Sequence, residues 1–241
     1  MGDRKIFAIS NTYAIHYSHE YLNSEEFSIV SIEDDDFPPE YFFFSDYLTD
    51  IDNPEEIWGK GLFLLSLYNG AVNINLFHKE WDSQVKFTRL HNWVTRDNLT
   101  PISTKDILPI NPFPNNLETD NDRKERLKKA HFITYSSFLA KSENDVQSLL
   151  LLAGNELNWV TLYAMYDTLS HYSQDFDTLT TNCGYSNNDI KAFTGTANNF
   201  GLIGANARHG EKGWGEPRNT KSLFDSKKMI LEMTKNYIES K

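Results

Sequence analysis

Between residues 100 and 122 the chain reads TPISTKDILPINPFPNNLETDND, with four prolines and repeated Asn and Asp. Proline removes a backbone donor and clashes with the preceding helical turn, while Asn and Asp favour turns over regular structure. No helix or strand runs through such a stretch, so it divides the chain into two parts. The spacing of apolar residues differs on its two sides. The sequence is therefore read as an N-terminal β-rich domain over residues 1–100, a linker over 101–122 and a helical domain over 123–241.

Before the linker the pattern is short-period. KIFAIS, YAIHYS and EFSIVSI are brief runs rich in β-branched and aromatic residues with partial alternation. VKFTRLHNWV (85–94) predicts a further strand. GLFLLSLYNGAVNINLF (61–77) places Asn69-Gly70 between two apolar runs, which predicts a hairpin. EDDDFPPEYFFF (33–44), with paired prolines, reads as a loop. Gly59 and Gly61, beside Trp58, predict a bend or a close backbone approach.

After the linker the period becomes helical. DRKERLKKAHFITYSSFLAK predicts one helix. Residues 142–172 predict a second, opened by Ser142 with Asp145 three residues on. Val146, Leu150, Ala153, Leu157, Val160 and Ala164 form its apolar stripe, and Gly154-Asn155 is the point at which it would kink or split. A third starts at Ser186 with Asp189 and buries Ile190, Phe193 and Ala197. A fourth starts at Ser222 with Asp225 and sets Leu223, Ile230, Met233 and Tyr237 on one face. Four helices with short connections predict a bundle, and the fold class is α+β.

Composition narrows the function. A 241-residue chain that is 39% apolar and 14% aromatic can fill a core. The longest apolar run, LLLLA at 149–153, is too short to cross a bilayer. MGDRKIFAIS lacks the pattern of a secretory signal, and Ile6 departs from the myristoylation motif. These features predict a cytoplasmic protein. A lone Cys183 forms neither a disulfide framework nor a multi-cysteine zinc site. His16 and His19 lie on a segment read as strand, where a three-residue spacing puts them on opposite faces, so they predict no metal site. The carboxylates at 33–36 and 50–53 lack the glycine turn and distal Glu of a calcium loop. No glycine-rich phosphate loop of either common type occurs, and no cofactor is implied.

A net charge of −11 argues against whole-surface attraction to nucleic acid. The charge is uneven, however: residues 1–110 carry 8 Lys/Arg against 18 Asp/Glu, whereas residues 191–241 carry 9 against 5. The basic tail contains FTGTANNFGLIGANARHG (193–210). Asn198, Asn199 and Asn206 there can meet a base edge or a ribose hydroxyl. Arg208 can grip a phosphate through its guanidinium fork, and His209 can act as a base near neutral pH. Arg218 and Lys221 follow as backbone contacts, with Lys227 beyond. A structural reading of the same residues stands beside it and is strong. Gly201 and Gly204 would end a helix, Asn206 would cap the next segment, Arg208 would pair with Asp167 or Glu156, and His209 would bond a carbonyl.

The C-terminal half resembles a widespread group of largely uncharacterised bacterial proteins. It shares W-x-x-L-Y (Trp159, Leu162, Tyr163), F-T-x-[ST]-A-N (Phe193, Thr194, Thr196, Ala197, Asn198) and G-x-x-A-R-H (Gly204, Ala207, Arg208, His209). Over about 100 residues these precede a Pro-containing loop and a last helix. More distantly it resembles the HEPN superfamily, whose small helical bundles usually dimerise. Many of these are metal-independent ribonucleases of toxin and antiviral defence systems that use an Arg and a His at the dimer interface. The resemblance implies a HEPN-like effector or toxin with Arg208 and His209 as the catalytic pair. It implies a homodimer through the helical domain, with RNA or another protein of a defence complex as partner. The superfamily spacing is R-x(4–6)-H, whereas Arg208 and His209 are adjacent; Arg126 and His131 have four residues between them. A non-catalytic adaptor and an RNA- or nucleotide-binding module are the alternative functions.

Overall fold

The computed structural model describes residues 4–12, 15, 24–34, 36–77, 84–115 and 120–241. Four strands form one antiparallel sheet: β1 (Lys5–Ile9), β2 (Ser28–Asp34), β3 (Phe37–Phe44) and β4 (Phe87–Asn92), in the order β2-β3-β1-β4. β1 is central and antiparallel to both β3 and β4. β3 and β4 are therefore parallel to each other, with β1 inserted between them, a split β-α-β arrangement. Three of these strands match the sequence expectation. β3 does not, since residues 37–44 were expected to be a loop. Its prolines are tolerated because Pro38 and Pro39 lie outside the β1 pairing, which spans Tyr41–Phe43, and beside a register shift against β2. Of the expected strand at 13–18 only Ile15 is described, and it is helical and buried rather than extended; both His16 and His19 lie outside the described residues.

The expected hairpin at Asn69-Gly70 is instead the interior of a long helix, α1 (Pro54–Leu76). Asn53 caps it by accepting from the Glu55 N–H, Pro54 occupies its first turn, and Glu55 and Glu56 face its positive end. Asn69 makes no turn. It clamps the chain entering β4, donating to the Val85 carbonyl and accepting from the Val85 N–H, both at 2.9 Å. Gly61 admits the Phe7 ring: a Cβ there would lie 2.5 Å from it. Gly59 accepts the Pro-rich segment through Ile110 N–H, 3.0 Å from its carbonyl. That segment has no helix or strand over residues 101–115, yet Phe113 is buried against Tyr47 and Phe63.

The remaining chain is helical: α2 (Asn121–Lys128), α3 (Phe132–Leu139), α4 (Asn144–Ala153), α5 (Trp159–Tyr172), α6 (Phe176–Asn182), α7 (Asn187–Asn198), the single turn α8 (Phe200–Ile203) and α9 (Leu223–Glu239). The first expected helix breaks in two because His131 is extended and caps α3, its Nδ1 accepting from the Ile133 N–H. The second breaks at Gly154, and this resets the helical phase. Val160 is consequently exposed, and the buried face of α5 is Trp159, Leu162, Met165 and Leu169. Ser142 does not cap α4, which begins after Glu143 without a side-chain cap; Asp145 turns inward to Tyr237 and Lys241 instead. The caps at Ser186 and Ser222 form as expected.

One continuous core joins the inner face of the sheet to α1 and the later helices. α1 packs on the sheet through Phe7 and Trp58 and on α4 backbone to backbone: a Cβ on Gly70 would lie 2.0 Å from the Leu150 oxygen, and one on Gly154 would lie 2.1 Å from that of Ser66. Asn73 adds a hydrogen bond to the Ala153 carbonyl at 2.8 Å. A buried ion cluster fastens the entry of β2 to the helices. The Glu26 carboxylate, 0% exposed, meets Arg123 at 3.1 Å and Lys141 at 3.0 Å. Burial opposes the Lys141 charge, but Glu26 outweighs it and holds the ammonium above its ordinary pKa.

Candidate functional site

The motif residues meet in one place. Trp159 and Phe193 stack at 6.3 Å between α5 and α7, and the Tyr163 and Phe193 rings lie 6.0 Å apart. α7 opens with a full capping box, Ser186 and Asp189 each bonding the other's backbone N–H. It ends at Asn199, which serves two purposes. Its Oδ1 accepts from the Leu202 N–H to start α8, and its Nδ2 donates to the Gly215 carbonyl at 3.0 Å. The chain reverses at Gly204, φ +57°, a conformation that a side chain would strain.

The strap that follows, residues 210–221, lies back along α7. It is fastened where Pro217 meets Gly195, where the Lys221 N–H donates to Thr196 Oγ1 at 3.0 Å, and at Asn199. Between strap and helix is an open groove of about 360 Å³, lined by Lys191, Thr194, Asn198, Asn199 and Trp214 among others. Trp214 is 51% exposed. The Asn198 Oδ1 is buried and has no hydrogen-bond partner, while its Nδ2 is turned 3.5 Å from the Tyr163 hydroxyl. A buried acceptor without a donor is costly and rare in a folded protein.

The sequence candidates divide around this groove. Asn198 and Asn199 line it. His209 packs edge-on against Trp214 at 5.8 Å. Arg208 turns to the other side, its guanidinium 4.0 Å over the Tyr163 ring and 3.3 Å from the Asp167 carboxylate. Of the two carboxylates expected for it, Asp167 is the partner. The Arg208 N–H donates to the Ala197 carbonyl at 2.9 Å, which ties the turn to the end of α7. Asn206 is exposed within a 3-10 turn, Gly204–Asn206, and does not cap it. Arg218 is exposed. Lys221 is engaged with Asp189 at 2.9 Å, and those contacts with Ser186 and Lys221 hold the Asp189 carboxyl far below the usual range. Arg126 is exposed on α2 while His131 serves as a helix cap, so that spaced pair forms no joint site.

Trp214, Lys191 and Lys212 were not among the sequence candidates. Lys212 holds its ammonium 5.1 Å from the Trp214 ring centre. The legible signal was a tryptophan between two glycines in a charged loop, where no core can claim it. Burial beside Glu232 pushes the Cys183 thiol up, which keeps it protonated. Among the described residues no group of three His, Cys, Asp or Glu could hold a metal ion, and no helix is long and apolar enough to cross a membrane. The chain matches no family model, no curated protein and no solved structure.

Proposed function

We propose that this protein is an RNA- or nucleotide-binding module of a bacterial defence system, with its ligand in the groove between α7 and the 210–221 strap. The observation that carries this reading is the buried, unpartnered Asn198 Oδ1 beside the half-exposed Trp214. Asn198 lines the groove, and a turn of its carboxamide toward the opening would let that acceptor take an N–H from a base edge, while the indole offers a stacking face. Lys191 and Lys212 lie where a phosphate would follow. Arg208 acts from behind: it stacks on Tyr163, whose hydroxyl faces Asn198, and so positions the carboxamide. Binding is thus better supported than a cleaving Arg–His pair, because the Arg208 guanidinium turns to Tyr163 and Asp167 while His209 packs on Trp214. Cleavage by His209 in a HEPN-like dimer is the second reading, favoured by its contact with Trp214.

The test is fluorescence anisotropy of the full chain with a labelled mixed-sequence 10-nucleotide RNA, alongside the four ribonucleoside monophosphates. Trp214→Ala should weaken binding about 5–100-fold, the range of one base stack. Asn198→Ala should weaken it without lowering the melting temperature. Equal affinity in both variants would overturn the reading. Gel analysis of the same RNA in EDTA decides the second reading: intact RNA with wild type leaves binding alone, and cleavage lost in His209→Ala assigns catalysis.

A further inference from the structure

The strap beside the groove is fastened at its two ends and free between them. At one end the Arg208 N–H donates to the Ala197 carbonyl at 2.9 Å. At the other, Asn199 Nδ2 holds the Gly215 carbonyl at 3.0 Å, Pro217 meets Gly195, and the Lys221 N–H donates to Thr196 Oγ1. Lys221 is held a second time by Asp189 at 2.9 Å, and its ammonium lies 5.7 Å from the Tyr185 ring centre. The Tyr185 hydroxyl in turn donates to Glu232. The far anchor is thus tied to α7 and, through Tyr185, to α9.

Residues 209–214 differ. No hydrogen bond, ion pair or ring contact joins them to any other described residue. They bond only among themselves. The Glu211 carboxylate accepts from the Gly213 N–H, His209 packs edge-on against Trp214, and the Lys212 ammonium lies 5.1 Å from the Trp214 ring centre. Residues 210–216 are all exposed. Gly210 and Gly215 flank the piece, and a Cβ on either would meet nothing within 4 Å. A segment bonded within itself, unpacked outside and bounded by glycines moves as a unit at small cost. What it carries is what the groove lacks. On α7 the groove has Lys191, Thr194 and Asn198 but no aromatic ring. The piece brings one indole, 51% exposed, with an ammonium beside it. That indole gains little by closing on a polar floor alone, so it stays out. A base laid on the floor gives it a face to stack on.

We propose that residues 210–215 form a lid, hinged at Gly210 and Gly215, that closes Trp214 and Lys212 together over a nucleotide lying on α7. The lid rests on the groove reading above and adds to it that one wall of the site is put in place by the ligand.

The experiment is amide hydrogen exchange of the full chain, resolved to single residues, free and with each of the four ribonucleoside monophosphates; calorimetry in the same buffer reports binding. In the free protein the Arg208 and Lys221 amides, which are bonded, should be protected, while those of Glu211 and Lys212 exchange at nearly the unstructured rate. A bound monophosphate should slow Glu211 and Lys212 roughly 10-fold or more. Trp214→Ala, with the monophosphate raised until calorimetry shows saturation, should lose that protection, because the lid then has no ring to set on the base. Protection that persists in this variant would come from the ligand's own bulk and overturns the lid. Protection of Glu211 and Lys212 in the free protein overturns it too, since the segment would already be packed. Binding with unchanged exchange at both residues removes the lid and leaves the groove reading standing. No binding of any monophosphate or of the 10-nucleotide RNA removes the groove reading, and the lid with it.

Discussion

Replacing Gly70 by alanine tests the central packing of the molecule. Alanine favours a helix interior over glycine by about 1 kcal/mol, so an isolated helix would gain. In this fold the added methyl would lie 2.0 Å from the Leu150 oxygen and 2.8 Å from its carbonyl carbon. That oxygen cannot swing aside, because it accepts the Gly154 N–H of α4 at 2.8 Å. Relief requires α1 and α4 to move apart by more than an ångström. Overpacking of this kind costs about 1–3 kcal/mol, here toward the upper end because both obstacles are backbone. The displacement also stretches the Asn73–Ala153 hydrogen bond, a further cost of about 1 kcal/mol. The expected net loss is about 2–3 kcal/mol, a melting temperature about 5–10 °C lower for a chain of this size. Thermal and urea unfolding followed by circular dichroism measure it. Gly154→Ala should behave alike, and the two combined should cost less than their sum, since one separation relieves both clashes. A melting temperature that is unchanged or raised in Gly70→Ala would refute backbone contact at this crossing.

Three further outcomes follow from other contacts. His131 has a pKa lowered by burial and by Lys235, and its neutral Nδ1 caps α3. Its contribution is complete above the unfolded value of about 6.5 and is lost as pH falls through the lower folded value; melting curves from pH 8 to 4 should show this acid loss, diminished in His131→Asn. Glu26→Gln leaves Arg123 and Lys141 facing a neutral group and should cost about 2 kcal/mol in urea unfolding, less than the ~3–5 kcal/mol of a fully buried pair because Glu25 remains 2.7 Å from Arg123. Glu25→Gln, at a mostly exposed carboxylate, should cost under about 0.5 kcal/mol.

What could be read from the sequence follows from the range of the forces involved. The starts at Ser186 and Ser222 were legible because a capping bond spans three residues. α1 was not, since a helix buried on nearly every side shows no apolar stripe, and Asn69-Gly70 then imitates a turn. The prolines of β3 misled because their tolerance depends on where β1 stops pairing, which is set by residues 30 positions away. At the site, Asn198 and Asn199 stood out as side-chain amides in a glycine-rich turn. The orientation of Arg208 toward Tyr163 and Asp167 did not, because it depends on how α5 lies against α7. Trp214 was legible only as a tryptophan that no core could claim; its place beside Asn198 and Lys191 depends on the strap lying back along α7.

The position of α1 also bears on how the chain is made. On a ribosome, residues 54–76 emerge about 70 residues before α4 and well before α9, yet these are the surfaces against which α1 is buried. The sheet it also covers cannot compensate for the bare side of the helix. α1 therefore keeps apolar surface exposed until the residues of α4 and α9 have also left the ribosome. Contacts such as Lys235 with Asn75, 160 residues apart, close only once α9 has emerged. Closing the core around α1 thus depends on contacts of long sequence separation, which slow folding relative to local helix formation.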